Sequence, residues 1–169
     1  MNPMEKENME SRTVLNAFFL SNPFCRGTIE KLILVATGIC GLFFSWKTFP
    51  VFPFSHVLGA ILILLAFGFH QWAHRKHKQA HEKSQQIEAI VTTGVFSKIR
   101  HPLYLSLICV NIGIALAFGV MMTSVLALLT IIHWAFTAIK EEEVLTNRFP
   151  AEYAKYKQQV RWRMIPWVF

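Results

Sequence analysis

Apolar residues in this chain come in runs too long for the core of a small soluble domain. Leu32 to Phe49 is apolar except for Lys47 near its end. Thr48 to His74 is 27 residues without Asp, Glu, Lys or Arg, and His101 to Ile139 is 39 such residues. A spanning helix needs roughly 20 apolar residues. A single helix of 39 residues would reach roughly 58 Å, against a hydrocarbon core of roughly 30 Å. The last run therefore predicts two helices joined by a tight turn, bracketed by Gly119 and the polar pair Thr123–Ser124. The pattern predicts spans at about 32–49, 54–73, 103–119 and 121–139. Pro50 and Pro53 punctuate the first connection. Residues 13–25 are apolar but short, and are read as an interfacial or re-entrant helix, with a fifth span as the alternative. The predicted fold is an all-α polytopic membrane bundle in one domain over 1–169. It has about four spans, the last two a tight hairpin, and a C-terminal amphipathic helix.

Composition strengthens this reading. Of 169 residues, 53% are hydrophobic and 16% charged, where a soluble domain carries about 25% charged residues. Disorder is excluded for most of the chain, because there is ample apolar surface to bury, and no internal period points to a repeat protein. A net charge of +7 suits nucleic acid or an anionic membrane; the bunched apolar runs decide for membrane lipids, with no nucleic acid partner. Lys and Arg number four in residues 1–31, six in 74–101 and six in 140–169, while Lys47 stands alone in the first connection. The positive-inside rule then places both termini and the 74–101 loop in the cytoplasm. The polar start, MNPMEKENMESR, is read as no signal peptide. Cys25, Cys40 and Cys109 have no C-x-x-C spacing and are read as small buried apolar residues.

The chemistry gathers in two polar stretches flanking the last apolar run. In Arg100-His101-Pro102-x-Tyr104, proline disfavours helix before it and suits a first helical turn. Arg100 and His101 should stand at a helix entrance, where free backbone N–H groups can meet a ligand. Interfacial anchoring by Arg and Tyr is the competing reading. Glu141-Glu142-Glu143 falls at the predicted C-terminal end of a helix, where the macrodipole disfavours negative charge. Arg100, Lys140 or a bound cation should compensate. Phe149, Tyr153 and Tyr156 share one helix face with basic residues on the others, which suits a helix on an anionic leaflet or an aromatic lid. His70, His74, His77 and His81 form a stripe read as a basic helix end rather than a metal site. The lone His133 is read as a hydrogen-bonded helix residue.

Together these residues resemble a known family. Thr92, Gly94, Phe96, Arg100, His101, Pro102 and Tyr104, then Glu141, Glu142, Leu145, Phe149, Tyr153 and Tyr156, then Arg163 and Pro166, follow the pattern of the isoprenylcysteine carboxyl methyltransferase and phospholipid methyltransferase group. The resemblance covers about residues 85–166. It implies an integral-membrane enzyme using S-adenosylmethionine on a lipophilic or small-molecule acceptor. The implied cofactor-binding residues are Ile90, Val91, Phe96, His101, Pro102, Leu103, Tyr104, Glu141 and Glu142, with Arg100 and Glu142 as catalytic candidates. Three positions depart from the pattern: Ser106 and Pro150 replace glycines, and Thr137 replaces an arginine of the eukaryotic carboxyl methyltransferases. An inactive membrane scaffold and an NADPH-dependent membrane reductase are the rival readings. The reductase pattern wants a Gly–Glu pair where Ser106–Leu107 stands.

Overall fold

A computed structural model describes residues 21–48, 54–76 and 88–169. Among these the chain is all-helical, apart from two isolated bridges. Five α-helices follow one another: α1 Pro23–Phe43, α2 Phe54–Lys76, α3 Pro102–Phe118, α4 Met121–Arg148 and α5 Pro150–Gln159. A 3-10 turn, Gly94–Ser97, precedes α3. The centre is α3. Helix α2 packs along it, α4 lies on another side, and α1 rests on α3 and α4. Helices α1 and α2 pack chiefly on α3 rather than on each other, which leaves a slot between them.

Local sequence explains the boundaries. Helices α1, α3 and α5 each begin with proline, where the missing N–H costs nothing. The Asn22 side chain caps α1 by accepting from the Phe24 N–H at 2.9 Å. Gly119 ends α3 in the left-handed conformation, φ +66°, with its N–H on the Ala115 carbonyl at 2.9 Å. Val120 then pairs with Thr48 across an antiparallel bridge, and α4 begins at once. Thr123 and Ser124 belong to the first turn of α4, where Ser124 Oγ donates to the Val120 carbonyl at 3.2 Å. The connection is thus Gly119–Val120 alone.

The first helix departs most from expectation. It runs over Pro23–Phe43 rather than 32–49, so Pro23–Cys25 form its first turn and not part of a separate segment; residues 13–20 lie outside the described residues. Hydropathy excluded Arg26 and Glu30 from a span, but the fold gives both hydrogen-bond partners inside the bundle. Arg26 Nη1 donates to Thr137 Oγ1 at 3.0 Å and lies 3.2 Å from His133 Nε2, with its guanidinium over the Trp134 ring. Glu30 Oε2 accepts from Trp134 Nε1 at 2.7 Å and Asn111 Nδ2 at 3.2 Å. His133 thus belongs to a network between helices. The cysteines correct another expectation. Cys25 and Cys40 are exposed and Cys109 is half-buried, all free, because α1 turns the first two outward.

Outward faces of α1, α2 and α4 are strongly apolar. Leu32, Leu64, Leu65, Leu128 and Phe136 are all exposed, a surface that lipid suits and water does not. Among the described residues, two helices are long and apolar enough to cross a membrane, over Phe54–Arg75 and Met121–Arg148; α3, with 17 residues, is shorter. The α2–α3 crossing brings backbones together, as small residues allow within membranes. A Cβ on Gly59 would collide with the backbone of Ala117 and lie 2.6 Å from the Gly113 carbonyl oxygen. Nothing lies within 4 Å of one on Gly68. Gly59→Ala should therefore lower stability by about 1–3 kcal/mol, while Gly68→Ala should stay within about 0.5 kcal/mol of the parent. Thermal unfolding in detergent checks the pair.

Candidate functional site

The polar stretches on either side of the α3–α4 pair meet at one end of the bundle. Three backbone contacts hold the entrance to α3. Ile99 bridges Trp162 in parallel, the Arg100 N–H donates to the Trp162 carbonyl at 3.0 Å, and the His101 N–H to the Arg163 carbonyl at 2.7 Å. The C-terminal segment is therefore extended here. Helix α5 stops at Gln159, so Arg161 and Arg163 lie beyond it.

Side chains lock this junction. Arg100 Nε donates to Glu142 Oε1 at 2.8 Å, and its Nη1 to the carbonyls of Val160 and Arg161 at 2.6 and 3.0 Å. His101 lies between two carboxylates, with Nδ1 3.4 Å from Glu141 and Nε2 3.2 Å from Glu142. Arg163 Nε pairs with the other Glu142 oxygen at 3.2 Å. Helix α4 continues to Arg148, so the three acids lie inside the helix and not at its end. The macrodipole penalty expected of a terminus falls away. The arginines answer the charge of Glu142, and Lys140 answers Glu143 at 2.9 Å.

Burial of His101 works against its charged form, but the hydrogen bonds and charges of Glu141 and Glu142 outweigh it and raise the imidazole above its ordinary value. Its ring stacks on Tyr104 at 5.4 Å between centroids, 4° from parallel. Helix α5 closes over this layer. Tyr153 and Tyr156 are buried with Leu145 and Val160, and the Tyr156 hydroxyl donates to the Phe96 carbonyl at 2.7 Å. Burial raises both phenols well above their usual range, so they remain neutral. The Tyr153 hydroxyl is buried with no hydrogen-bond partner among the described residues.

This layer borders a cavity of about 570 Å³, within the size range of small-molecule sites, roughly 300–1,000 Å³. Ile90, Val91, Phe96, Arg100, His101, Leu103, Tyr104 and Glu141 line it together. Pro102 and Glu142 do not. Pro102 starts α3 behind the wall, and Glu142 faces the arginines. Other lining residues carried no signal in the motif stretches. Phe24, Gly27 and Lys31 come from α1, and Leu64, Phe67, His70 and His74 from α2. The histidine stripe marked the α2 wall, but its spacing alone could not name the cavity; His77 and His81 lie outside the described residues. Phe24, Leu64 and Phe67 are also exposed, so the cavity opens sideways through the slot between α1 and α2.

The profile of the phospholipid methyltransferase family matches residues 54–152, from the start of α2 into the first turn of α5. No individual curated protein matches the chain significantly.

Two outcomes follow from the ion cluster. Glu142→Gln leaves Arg100 and Arg163 facing a neutral group and should cost about 3–5 kcal/mol in unfolding free energy. The stabilisation from protonated His101 is complete below about pH 6.5, the ordinary imidazole value, and is lost as pH rises through the higher folded value. The unfolding midpoint should therefore fall as pH rises above neutrality, and His101→Gln should flatten that slope.

Proposed function

The chain belongs to the phospholipid methyltransferase family, and from that premise we propose that it transfers a methyl group from S-adenosylmethionine to a lipophilic acceptor, a lipid amine, carboxylate or thiol. The proposal places four helices across the membrane in one domain, with both termini and the cavity at the cytoplasmic face. One observation carries it: Arg100, His101, Leu103 and Tyr104 on one side of the α3–α4 pair and Glu141 on the other line a single cavity.

The residues present fit the donor. Its α-amino group and ribose hydroxyls need acceptors, its carboxylate needs donors, and its adenine needs flat apolar walls. Glu141 supplies the carboxylate, hydrogen-bonded to the Tyr104 hydroxyl and paired with His101. The Tyr153 hydroxyl has no partner within the described protein, and a buried hydroxyl in a ligand cavity wants one. Phe96, Tyr104 and Tyr156 supply ring faces, and Ile90, Val91 and Leu103 the aliphatic wall. When bound, S-adenosylmethionine supplies an electrophilic methyl group on a cationic sulfur.

The chain's own residues supply order and dryness. Arg100 and Glu142 act by positioning. Their mutual pair and the two carbonyls held by Arg100 fix the α3 entrance against the C-terminal segment. Pro102 sets the first turn of α3. Tyr153 and Tyr156 exclude water from above, which strengthens every charge interaction inside. Alignment of two reactants in such a site can supply roughly 7–11 kcal/mol. The slot between α1 and α2 admits the acceptor from lipid, its headgroup passing Lys31, which lines the slot from α1.

Purified protein incubated with methyl-labelled S-adenosylmethionine and a total lipid extract should place label in the lipid fraction; an unlabelled extract overturns the proposal. Glu141→Gln should weaken donor binding roughly 10-fold or more, the worth of a hydrogen bond to a charged group. Calorimetry reads the affinity, and circular dichroism checks that the helices persist.

A further inference from the structure

The segment beyond α5 runs in the same direction as the chain entering α3. Ile99 and Trp162 form a parallel bridge, and the N–H groups of Arg100 and His101 meet the carbonyls of Trp162 and Arg163 in step. Residues after Arg163 therefore continue alongside α3, past the charged layer of Arg100 and Glu142, towards the apolar part of the bundle. Packing agrees with that course. Met164 is buried in one cluster with Tyr104, Ile108, Trp134 and Ala138, and Phe169 packs against the same cluster. Tyr104 and Ile108 lie on the apolar side of Arg100, and Trp134 and Ala138 on the apolar side of Lys140.

There the chain folds into a turn that satisfies its own backbone. The N–H groups of Arg163, Met164 and Ile165 donate to the Phe169 backbone oxygen at 3.1, 2.9 and 3.1 Å. Those of Val168 and Phe169 donate to the Ile165 carbonyl at 3.2 and 3.0 Å, and Pro166 has no N–H to place. Water would satisfy such groups without help, whereas a membrane leaves the task to the chain. The side chains divide accordingly. Met164 is buried, while among the described residues Ile165 is 44% exposed, Val168 77% and Trp167 85%. Large apolar side chains gathered on one turn and left open mark a contact surface.

We propose that Ile165, Trp167 and Val168 anchor the chain at the headgroup–acyl boundary of the cytoplasmic leaflet, with lipid as the partner. This rests on the four-span placement given above. The chemistry of the segment follows the layers of a leaflet. Arg161 is exposed, and its guanidinium lies over the Trp162 ring at 5.1–5.3 Å spacing shared with the next contact: 5.2 Å from Arg161 to Trp162, and 5.3 Å from Trp162 to the Trp167 ring. A cation suits lipid phosphate, tryptophan the headgroup boundary, and Ile165 and Val168 the upper acyl chains. The anchor also reaches the cavity wall. Arg163, at its base, pairs with Glu142 at 3.2 Å and accepts the His101 N–H on its carbonyl. Lipid contact thus ties the ion cluster to the leaflet.

The test uses the full chain in phosphatidylcholine vesicles carrying phosphatidylglycerol. Cys25, Cys40 and Cys109 are replaced by alanine, and nitroxide labels are attached to Val168→Cys, to Leu128→Cys on the outward face of α4, and to Lys155→Cys on α5. Oxygen concentrates in lipid and a nickel chelate in water. The Val168 label should follow Leu128, relaxing several-fold more with oxygen than with the chelate, and Lys155 should show the reverse. A Val168 label that follows Lys155 overturns the anchor alone. If Leu128 follows Lys155 as well, the spanning placement of α4 fails with it. A Val168 label shielded from both reagents also overturns the proposal, because protein, such as a second copy of the chain, then covers the turn. Should the cysteine-free protein fail to fold, fluorescence of the parent decides. Lipids brominated high on the acyl chain should quench the emission that Trp167→Phe removes, and acrylamide should leave most of it. Quenching by acrylamide without quenching by brominated lipid overturns the proposal.

Discussion

Glu142 sits in the protein interior with Arg100, His101 and Arg163 around it, and a carboxylate buried in this way holds whatever supplies its counter-charges. Those partners come from the entrance to α3 and from the chain beyond α5. One acid on α4 therefore pins two separate stretches to its own helix at one end of the bundle. Arg100 completes the arrangement by binding the carbonyls of Val160 and Arg161, so the wall is fixed by charge on one side and by backbone on the other. Glu141, one residue earlier, projects into the cavity. Adjacent positions on a helix are about 100° apart, which lets one acid build the wall while its neighbour faces the cavity.

Much of this was readable before any coordinates. The 39-residue apolar run demanded a return, and Gly119 supplied it because a left-handed residue without a side chain ends a helix cheaply. Proline placed Arg100 and His101 at a helix entrance. The i, i+4, i+7 spacing of Phe149, Tyr153 and Tyr156 marked a buried face, and two of the three are fully buried. These are local properties, set by backbone sterics and helical periodicity.

What was not readable is non-local. Hydropathy placed the start of α1 at Leu32 because it counted Arg26 and Glu30 as solvent-facing. Their partners Asn111, His133, Trp134 and Thr137 stand far along the chain, and no window of sequence contains both sides. The extended Val160–Arg163 segment was hidden for the same reason, since its hydrogen-bond partners are Arg100 and His101. The resemblance gave Glu141 and Glu142 one cofactor role and made Glu142 the catalytic candidate, yet it is Glu141 that lines the cavity. Only the placement of the arginines separates them.

The polar residues of α1 have a bearing on how the protein is made. Arg26 and Glu30 hydrogen-bond to residues at least 81 positions downstream, and an ionisable group alone in hydrocarbon is expensive. The segment that leaves the ribosome first among the described helices thus waits for partners made much later. The Arg26 and Glu30 side chains of helix α1 find their partners on α3 and α4, so its docking waits for that pair, and the slot between α1 and α2 takes shape in the same step.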